Sequence, residues 1–131
     1  MMISQEAFYA AKLAYEMDAA DVAQAFAQGD DSLVLVDTRS AEAFAHETIP
    51  GAISLPHRLM TEESTAHLAR ERTYVTFCDG IGCNGSTKGA LKLTRLGFKV
   101  KELQGGIDWW KRDGYATTLH AGCGKDVCDA C

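Results

Sequence analysis

Two short apolar runs constrain the fold of this chain more than any other feature of its sequence. Residues 33–36 read Leu-Val-Leu-Val, and residues 74–78 read Tyr-Val-Thr-Phe-Cys. The first run does not alternate between apolar and polar side chains, which is typical of a strand buried on both faces in a parallel sheet. The second is strand-like because β-branched and aromatic residues favour extended backbone. We therefore expect a parallel sheet at the centre of the domain.

The segments between these runs have the periodicity and the end signals of helices. Ser4 and Asp18 can cap two amphipathic segments, and a third begins near Ser86 and ends at Gly97. Strand and helix thus alternate along the chain. This alternation predicts an α/β domain whose parallel sheet is covered by helices on both faces.

The composition is that of one globular domain, because 47% of the 131 residues are apolar and 24% are charged. We predict three parts. Residues 1–30 form an N-terminal helical lead-in packed on the domain, residues 31–118 form the domain itself, and residues 119–131 form a Cys-rich C-terminal tail.

Charge and cysteine placement exclude several classes of protein. Thirteen Lys and Arg against eighteen Asp and Glu give a net charge of −5, so we expect neither a nucleic-acid nor a membrane partner. The N-terminal residues lack the pattern of a signal peptide, and no apolar run is long enough for a membrane span. All five cysteines lie from Cys78 onward, which argues against the disulfide framework of a secreted protein. We predict a cytoplasmic protein whose cysteines are available for chemistry.

Cys78 is the main candidate for a catalytic residue. It stands where a strand gives way to a glycine-rich loop and then a helix, which is where open α/β sheets place their sites. Gly80, Gly82 and Gly85 allow consecutive N–H groups to turn inward, and such a nest stabilises negative charge together with the helix dipole. A thiolate held there suits a covalent sulfur intermediate. The alternative is a buried, inert cysteine.

Four segments resemble the signatures of the rhodanese superfamily, whose sulfurtransferase domains pass sulfane sulfur through a cysteine persulfide. The segments are residues 35–44, 49–53, 96–98 and 103–110, which read Leu-Val-Asp-Thr-Arg-Ser-Ala-Glu-Ala-Phe, Ile-Pro-Gly-Ala-Ile, Leu-Gly-Phe and Leu-Gln-Gly-Gly-Ile-Asp-Trp-Trp. The resemblance covers about residues 31–118. It implies a five-stranded parallel sheet flanked by helices, with the nucleophile at Cys78.

The resemblance also implies how the site works. Sulfur arrives from a small donor molecule, rests on Cys78 without any cofactor, and leaves to a thiol or protein acceptor. The loop amides form its cradle, and the loop residues are Asp79, Gly80, Ile81, Gly82, Cys83, Asn84 and Gly85. With its second cysteine, this loop resembles that of a distinct bacterial subgroup.

Several charged residues are placed near the predicted site. Gly85 replaces a cation that often ends the family's loop, which puts thiosulfate in doubt as the donor. His57 and Arg58 follow a predicted strand and could bind substrate with the missing positive charge, unless they are a solvated surface pair. The resemblance implies that Asp37 and Arg39 form a structural ion pair near the site.

Three alternatives remain open at this stage. Cys83 could be the nucleophile, a resolving thiol that attacks a persulfide on Cys78, or a small residue packed in the loop. The chain could instead be a non-catalytic redox-sensing or interaction module that uses a Cys78–Cys83 disulfide. We predict no metal site, although metal handling by the tail is a further alternative because four residues there are of the types that zinc prefers. They are His120, Cys123, Cys128 and Cys131.

Overall fold

A computed structural model describes residues 2–119 of the chain. Of the predicted tail, residues 119–131, only Leu119 is described, and the four candidate zinc ligands lie outside the described residues. Within residues 2–119, every helix is too short or too polar to span a lipid bilayer. The elements in chain order are α1 (Gln5–Tyr15), β1 (Glu16–Met17), α2 (Ala19–Ala27), β2 (Leu33–Asp37), α3 (Ala41–His46), β3 (Glu47–Thr48), β4 (Ile53–Ser54), a 3₁₀ helix (His57–Leu59), α4 (Glu62–Thr65), β5 (Thr73–Phe77), α5 (Gly85–Arg95), β6 (Lys99–Leu103), α6 (Gly106–Arg112) and β7 (Thr118–Leu119).

Five of the strands form one parallel sheet in the order β1-β6-β5-β2-β4. The two predicted apolar runs, β2 and β5, are neighbours near its centre, paired from Leu33 opposite Thr73 to Asp37 opposite Phe77. The predicted five-stranded parallel sheet is therefore confirmed. The sequence did not indicate the small antiparallel pair of β3 and β7.

Each face of the sheet carries its own apolar cluster. Side chains on neighbouring positions of a strand point to opposite faces, so Leu35 joins one cluster and Val36 the other. Helices α2 and α6 pack on the first face, and α5 packs on the second. The first cluster contains Ala19, Val22, Leu35, Ile49, Val75, Phe77, Leu103, Ile107 and Trp110. The second contains Val36, Leu55, Met60, Tyr74, Leu93 and Phe98. Helices cover both faces, as the alternation of elements predicts.

The two helices of the predicted lead-in, residues 1–30, differ in their relation to this core. Ala19 and Val22 of α2 are completely buried in the first cluster. Helix α1 has no buried residue, and it exposes large apolar side chains such as Leu13. The division of the chain at residue 30 stays a prediction.

A buried ion pair lies at the carboxyl end of β2. Arg39 binds both carboxylate oxygens of Asp37, at 2.8 and 3.0 Å, and the Thr48 hydroxyl donates to the same carboxylate at 2.9 Å. Arg39 also reaches Asp79 at 3.3 Å, so it joins β2 to the first residue of the glycine-rich loop. Burial alone would lower the pKa of Arg39, but hydrogen bonds and charge from Asp37 and Asp79 raise it. That Asp37 and Arg39 have a structural rather than a catalytic role stays a prediction.

Three consecutive carbonyl groups at the end of β5 are held by neighbouring segments. The oxygen of Phe77 accepts from both the backbone N–H and the hydroxyl of Thr38, at 3.0 and 2.7 Å. The oxygens of Cys78 and Asp79 accept from the N–H groups of Ile107 and Asp108, at 3.0 and 2.8 Å. These bonds fix the backbone at the start of the loop.

Gly106 allows α6 to approach the loop this closely. Its φ is +59°, and a Cβ there would overlap the carbonyl oxygen of Cys78 and lie 2.9 Å from the backbone of Asp79 and Gly80. Any side chain at this position must therefore push the start of α6 away from the end of β5. The Ile107 and Asp108 hydrogen bonds would lengthen in consequence.

We expect Gly106→Ala to destabilise the protein by about 3 kcal/mol, from a left-handed backbone and a backbone overlap together. Gly29→Ala is the matched control, since its φ is +75° and nothing lies within 4 Å of its Cβ position. It should cost only about 1 kcal/mol. Urea unfolding of both variants measures the difference, and equal losses would contradict a close approach at Gly106.

The two partners of Arg39 should respond differently to neutralisation. Asp37 is fully buried and Asp79 is 74% exposed at its side chain. Asp37→Asn leaves a buried charge poorly compensated and should cost about 3 kcal/mol in the free energy of unfolding. Asp79→Asn should cost less than about 1 kcal/mol. A similar loss in both variants would show that the buried pair does not stabilise the end of β2.

Candidate active site

Cys78 directly follows β5 and is 5% exposed. It therefore lies at the carboxyl edge of the central strands, where the sequence places it. The loop that follows occupies residues 79–84, and α5 begins at Gly85. The predicted loop residues, Asp79 to Gly85, thus connect Cys78 to α5, and the last of them is the first residue of that helix.

The sulfur atoms of Cys78 and Cys83 are joined in a disulfide, with 6.3 Å between the two Cα atoms. A tight turn brings the second cysteine back, because the N–H of Cys83 donates to the oxygen of Gly80 at 3.2 Å. Gly82 has a φ of +95°, which favours glycine at that step of the turn. The loop thus presents its two cysteines to each other.

The start of α5 lies against the Cys78 sulfur. A Cβ at Gly85 would stand 3.1 Å from that sulfur. The hydroxyl of Thr76 in β5 donates to the oxygen of Ser86 at 3.0 Å, which anchors this first turn on the sheet. Within residues 2–119, no side chain caps the N-terminus at Asn84. The partial positive charge of this helix N-terminus therefore lies beside the sulfur without a cap from Asn84.

The structure brings His57 close to Cys78. The same Cβ position at Gly85 lies 3.4 Å from Cδ2 of His57 and 3.6 Å from the hydroxyl oxygen of Thr38. Burial, together with the positive charges of three neighbours, lowers the pKa of His57 and so favours its neutral imidazole. Those neighbours are Lys92, Lys88 and Arg58.

Arg58 is exposed, and it acts on His57 through its charge. Lys92 is tied more closely, because its ammonium donates to the backbone oxygen of His57 at 2.8 Å. Sequence reasoning missed Lys88 and Lys92 as part of this positive region, although both lie on the polar face of α5. Substrate binding by His57 and Arg58 stays a prediction.

A cleft of about 440 Å³ opens beside the disulfide. The loop forms one wall, and α1, the end of β6 and the start of α6 form the others. Its lining includes Cys78, Cys83, Ile81, Lys12, Glu16, Asp18, Glu102 and Trp109. The volume is in the range of small-molecule sites.

Carboxylates dominate the charge of this cleft. The lining contains one ammonium, that of Lys12, and three carboxylates, and Lys12 pairs with one of them, Glu16, at 3.0 Å. The other two carboxylates are those of Asp18 and Glu102. The carboxylate of Glu102 accepts hydrogen bonds from the hydroxyls of Ser86 and Thr87, at 3.0 and 2.8 Å. Sequence reasoning missed Glu102. The rule that indicated His57, that functional side chains lie at the carboxyl ends of parallel strands, also applies to Glu102 near the end of β6.

Cys78, Asp79 and Cys83 place three potential metal-binding atoms, two sulfurs and one carboxylate oxygen, within 4.8 Å of one another. Metal ligation by cysteine requires thiolates, and the disulfide removes both of them. In this oxidised form the cluster offers one carboxylate, which is a poor site for a soft metal. That the chain has no metal site stays a prediction.

Solved structures with this fold include a protein from Bacillus halodurans, BH2092, at 39% identity and a TM-score of 0.85, covering 93% of this chain and 89% of that one. A rhodanese-related protein from Thermoplasma volcanium is similar at 24% identity and a TM-score of 0.69, covering 81% and 99%. A thiosulfate sulfurtransferase from Pseudomonas aeruginosa is similar at 20% identity and a TM-score of 0.67, covering 82% and 20%. The last two likenesses show the fold alone. No curated protein sequence matches this chain.

The sequence also matches a family model directly. The model describes the rhodanese-like domain, and the match spans residues 18–113. It therefore begins just before α2 and ends just after α6. The matched part contains the whole parallel sheet except β1, and it contains the Cys78 loop. With more than half of its length matched, the chain belongs to the rhodanese-like domain family.

Proposed function

We propose that this chain is a sulfurtransferase that carries sulfane sulfur as a persulfide on Cys78. The observation that supports this most is the position of the Cys78 sulfur, nearly buried against the first residue of α5. A cysteine at a helix N-terminus has a lowered pKa, and the thiolate is the nucleophilic form. Membership of the rhodanese-like family agrees with this chemistry.

Sulfur transfer here needs two exchanges and no external oxidant. The Cys78 thiolate attacks the outer sulfur of a donor persulfide, and the donor leaves as a thiolate. A thiol acceptor then attacks the outer sulfur on Cys78, and Cys78 leaves as a thiolate. The S–S bond broken in each exchange is replaced by the one formed.

The fold supports both exchanges through the same groups. Negative charge rests on Cys78 before and after each one, and the uncapped end of α5 stabilises it throughout. The held carbonyls of Phe77, Cys78 and Asp79 are directed at Thr38 and α6, so they are kept off the reacting sulfur.

The cleft supports an organic donor rather than thiosulfate. One cation against three carboxylates repels a compact dianion that enters beside the loop. An organic persulfide with a single negative charge meets less repulsion in this cleft than the thiosulfate dianion does. We propose such a molecule as the donor and a thiol, free or on a protein, as the acceptor.

The disulfide supports a second candidate function. Cys78 and Cys83 are already bonded, as they would be in the oxidised form of a redox-sensing module. In that function Cys78 alternates between thiol and disulfide and never carries extra sulfur. Sulfur loading therefore separates the two candidates.

We expect reduced protein that is loaded with a small organic persulfide, freed of excess persulfide and at once treated with cyanide to release up to one molecule of thiocyanate per chain. Cys78→Ser should release none, because it removes the sulfur that accepts the sulfane atom. Cys83→Ser should release at least as much as the parent protein, because Cys78 alone carries the sulfane atom. Colorimetric thiocyanate assay measures all three. Release by Cys78→Ser and not by Cys83→Ser would transfer the role to Cys83, and no release by any of them would favour redox sensing.

We also expect Gly85→Ala to slow sulfur loading several-fold without loss of stability. The added Cβ would stand 3.1 Å from the Cys78 sulfur, closer than ordinary contact, while alanine favours the helix more than glycine does. Thr94→Ala, on an exposed position of the same helix, is the control. Stopped-flow measurement of loading checks this, and parental rates in Gly85→Ala would show that the sulfur is not confined there.

A further inference from the structure

We propose that Cys83 resolves the persulfide on Cys78 when no acceptor is bound, so that the chain also reduces sulfane sulfur to hydrogen sulfide. This inference rests on the proposed function, because it needs a persulfide on Cys78. It adds a second activity to the same loop, with a dithiol as the reductant. The two cysteines then have separate roles, Cys78 as carrier and Cys83 as resolving thiol.

The loop already holds the two cysteines in bonding geometry. Their Cα atoms are 6.3 Å apart in the disulfide-bonded loop, within the range for disulfides, so the strand and helix positions seen here accommodate the bond. The N–H of Cys83 is fixed by the oxygen of Gly80, and the left-handed step at Gly82 turns the chain back towards Cys78. Attack by Cys83 is therefore an exchange between preplaced neighbours.

The reaction is balanced without an oxidant. The Cys83 thiolate attacks the inner sulfur of the persulfide, which is the Cys78 sulfur, and the outer sulfur leaves as hydrosulfide. The Cys78–Cys83 bond forms as the persulfide bond breaks. The sulfane atom gains two electrons, and the two cysteine sulfurs together lose two. A proton from solvent converts hydrosulfide to hydrogen sulfide.

The departing sulfur has an exit. The cleft of about 440 Å³ is lined by Cys78 and Cys83 themselves, together with Gly80, Ile81 and Gly82. Its excess of carboxylates repels an anion, which favours departure of hydrosulfide over its return. The cleft that admits an organic persulfide thus also releases the small product.

Exposure determines which sulfur the reductant attacks. Cys78 is 5% exposed, whereas Cys83 is partly exposed, and Ile81 beside it is 85% exposed. A dithiol therefore attacks Cys83, and Cys78 leaves as the thiolate that α5 stabilises. The second thiol of the reductant then frees Cys83. Two thiols of the reductant become one disulfide, and the site returns to its reduced form.

The test uses reduced full-length protein loaded with a small organic persulfide and then rapidly desalted. In the parent protein we expect the added sulfur atom to disappear from the intact mass. One molecule of hydrogen sulfide should be released per chain, and two thiols should be lost to a Cys78–Cys83 disulfide. Cys83→Ser should keep the added sulfur over the same period and release no hydrogen sulfide. When excess organic persulfide and dithiothreitol are both supplied, the parent protein should release more than one molecule of hydrogen sulfide per chain.

A variant with all three tail cysteines replaced by serine is the matched control, since it keeps both loop cysteines. It should release hydrogen sulfide at the parental rate. Equal release by the parent and Cys83→Ser, or a persulfide equally stable in both, would overturn the inference while leaving the carrier role of Cys78 intact. If Cys83→Ser takes up no sulfur at all, the proposed function itself fails.

Discussion

The site depends on one constraint, the fixing of three consecutive carbonyl groups where β5 ends. Phe77 is bound by Thr38, and Cys78 and Asp79 are bound by the first amides of α6. A loop that follows a strand usually has freedom to turn its peptide planes either way. Here the planes on both sides of Cys78 are set by two other segments, and Gly106 is what allows one of those segments to come close enough. The chemistry of Cys78 is therefore built on contacts between elements distant in the chain.

The same loop combines confinement and access. On the inner side, Gly85 and His57 leave little space around the Cys78 sulfur, which favours one small reacting group at a time. On the outer side, the cleft and the partly exposed Cys83 let small thiols and persulfides reach the site. Arg39 connects these features to the core, because it binds buried Asp37 and exposed Asp79 together. The Arg39 guanidinium thus stabilises the end of β2 in the central sheet and also sets the charge next to the loop.

The sequence predicted what local patterns encode. Strands β2 and β5 follow from their unalternating apolar runs, and the Cys78 loop follows from its glycines. Strands β1, β3 and β7 have two residues each, which is too short for a pattern of apolar and polar residues to be recognised. The close approach of α6 at Gly106 and the ion pair between Arg39 and Asp79 depend on tertiary packing, which cannot be predicted from the spacing of residues along the chain. Glu102 is different, because the strand-end rule that indicated His57 would have found it.

We propose above all that Cys78 holds the transferred sulfur against the N-terminus of α5. The most direct measurement is a crystal structure of reduced Cys83→Ser protein loaded with a small organic persulfide. We expect one extra sulfur atom on Cys78, within hydrogen-bond distance of backbone amides of the loop or of the first turn of α5. Continuous density for an unmodified Cys78 thiol, or an outer sulfur directed away from these amides, would contradict it.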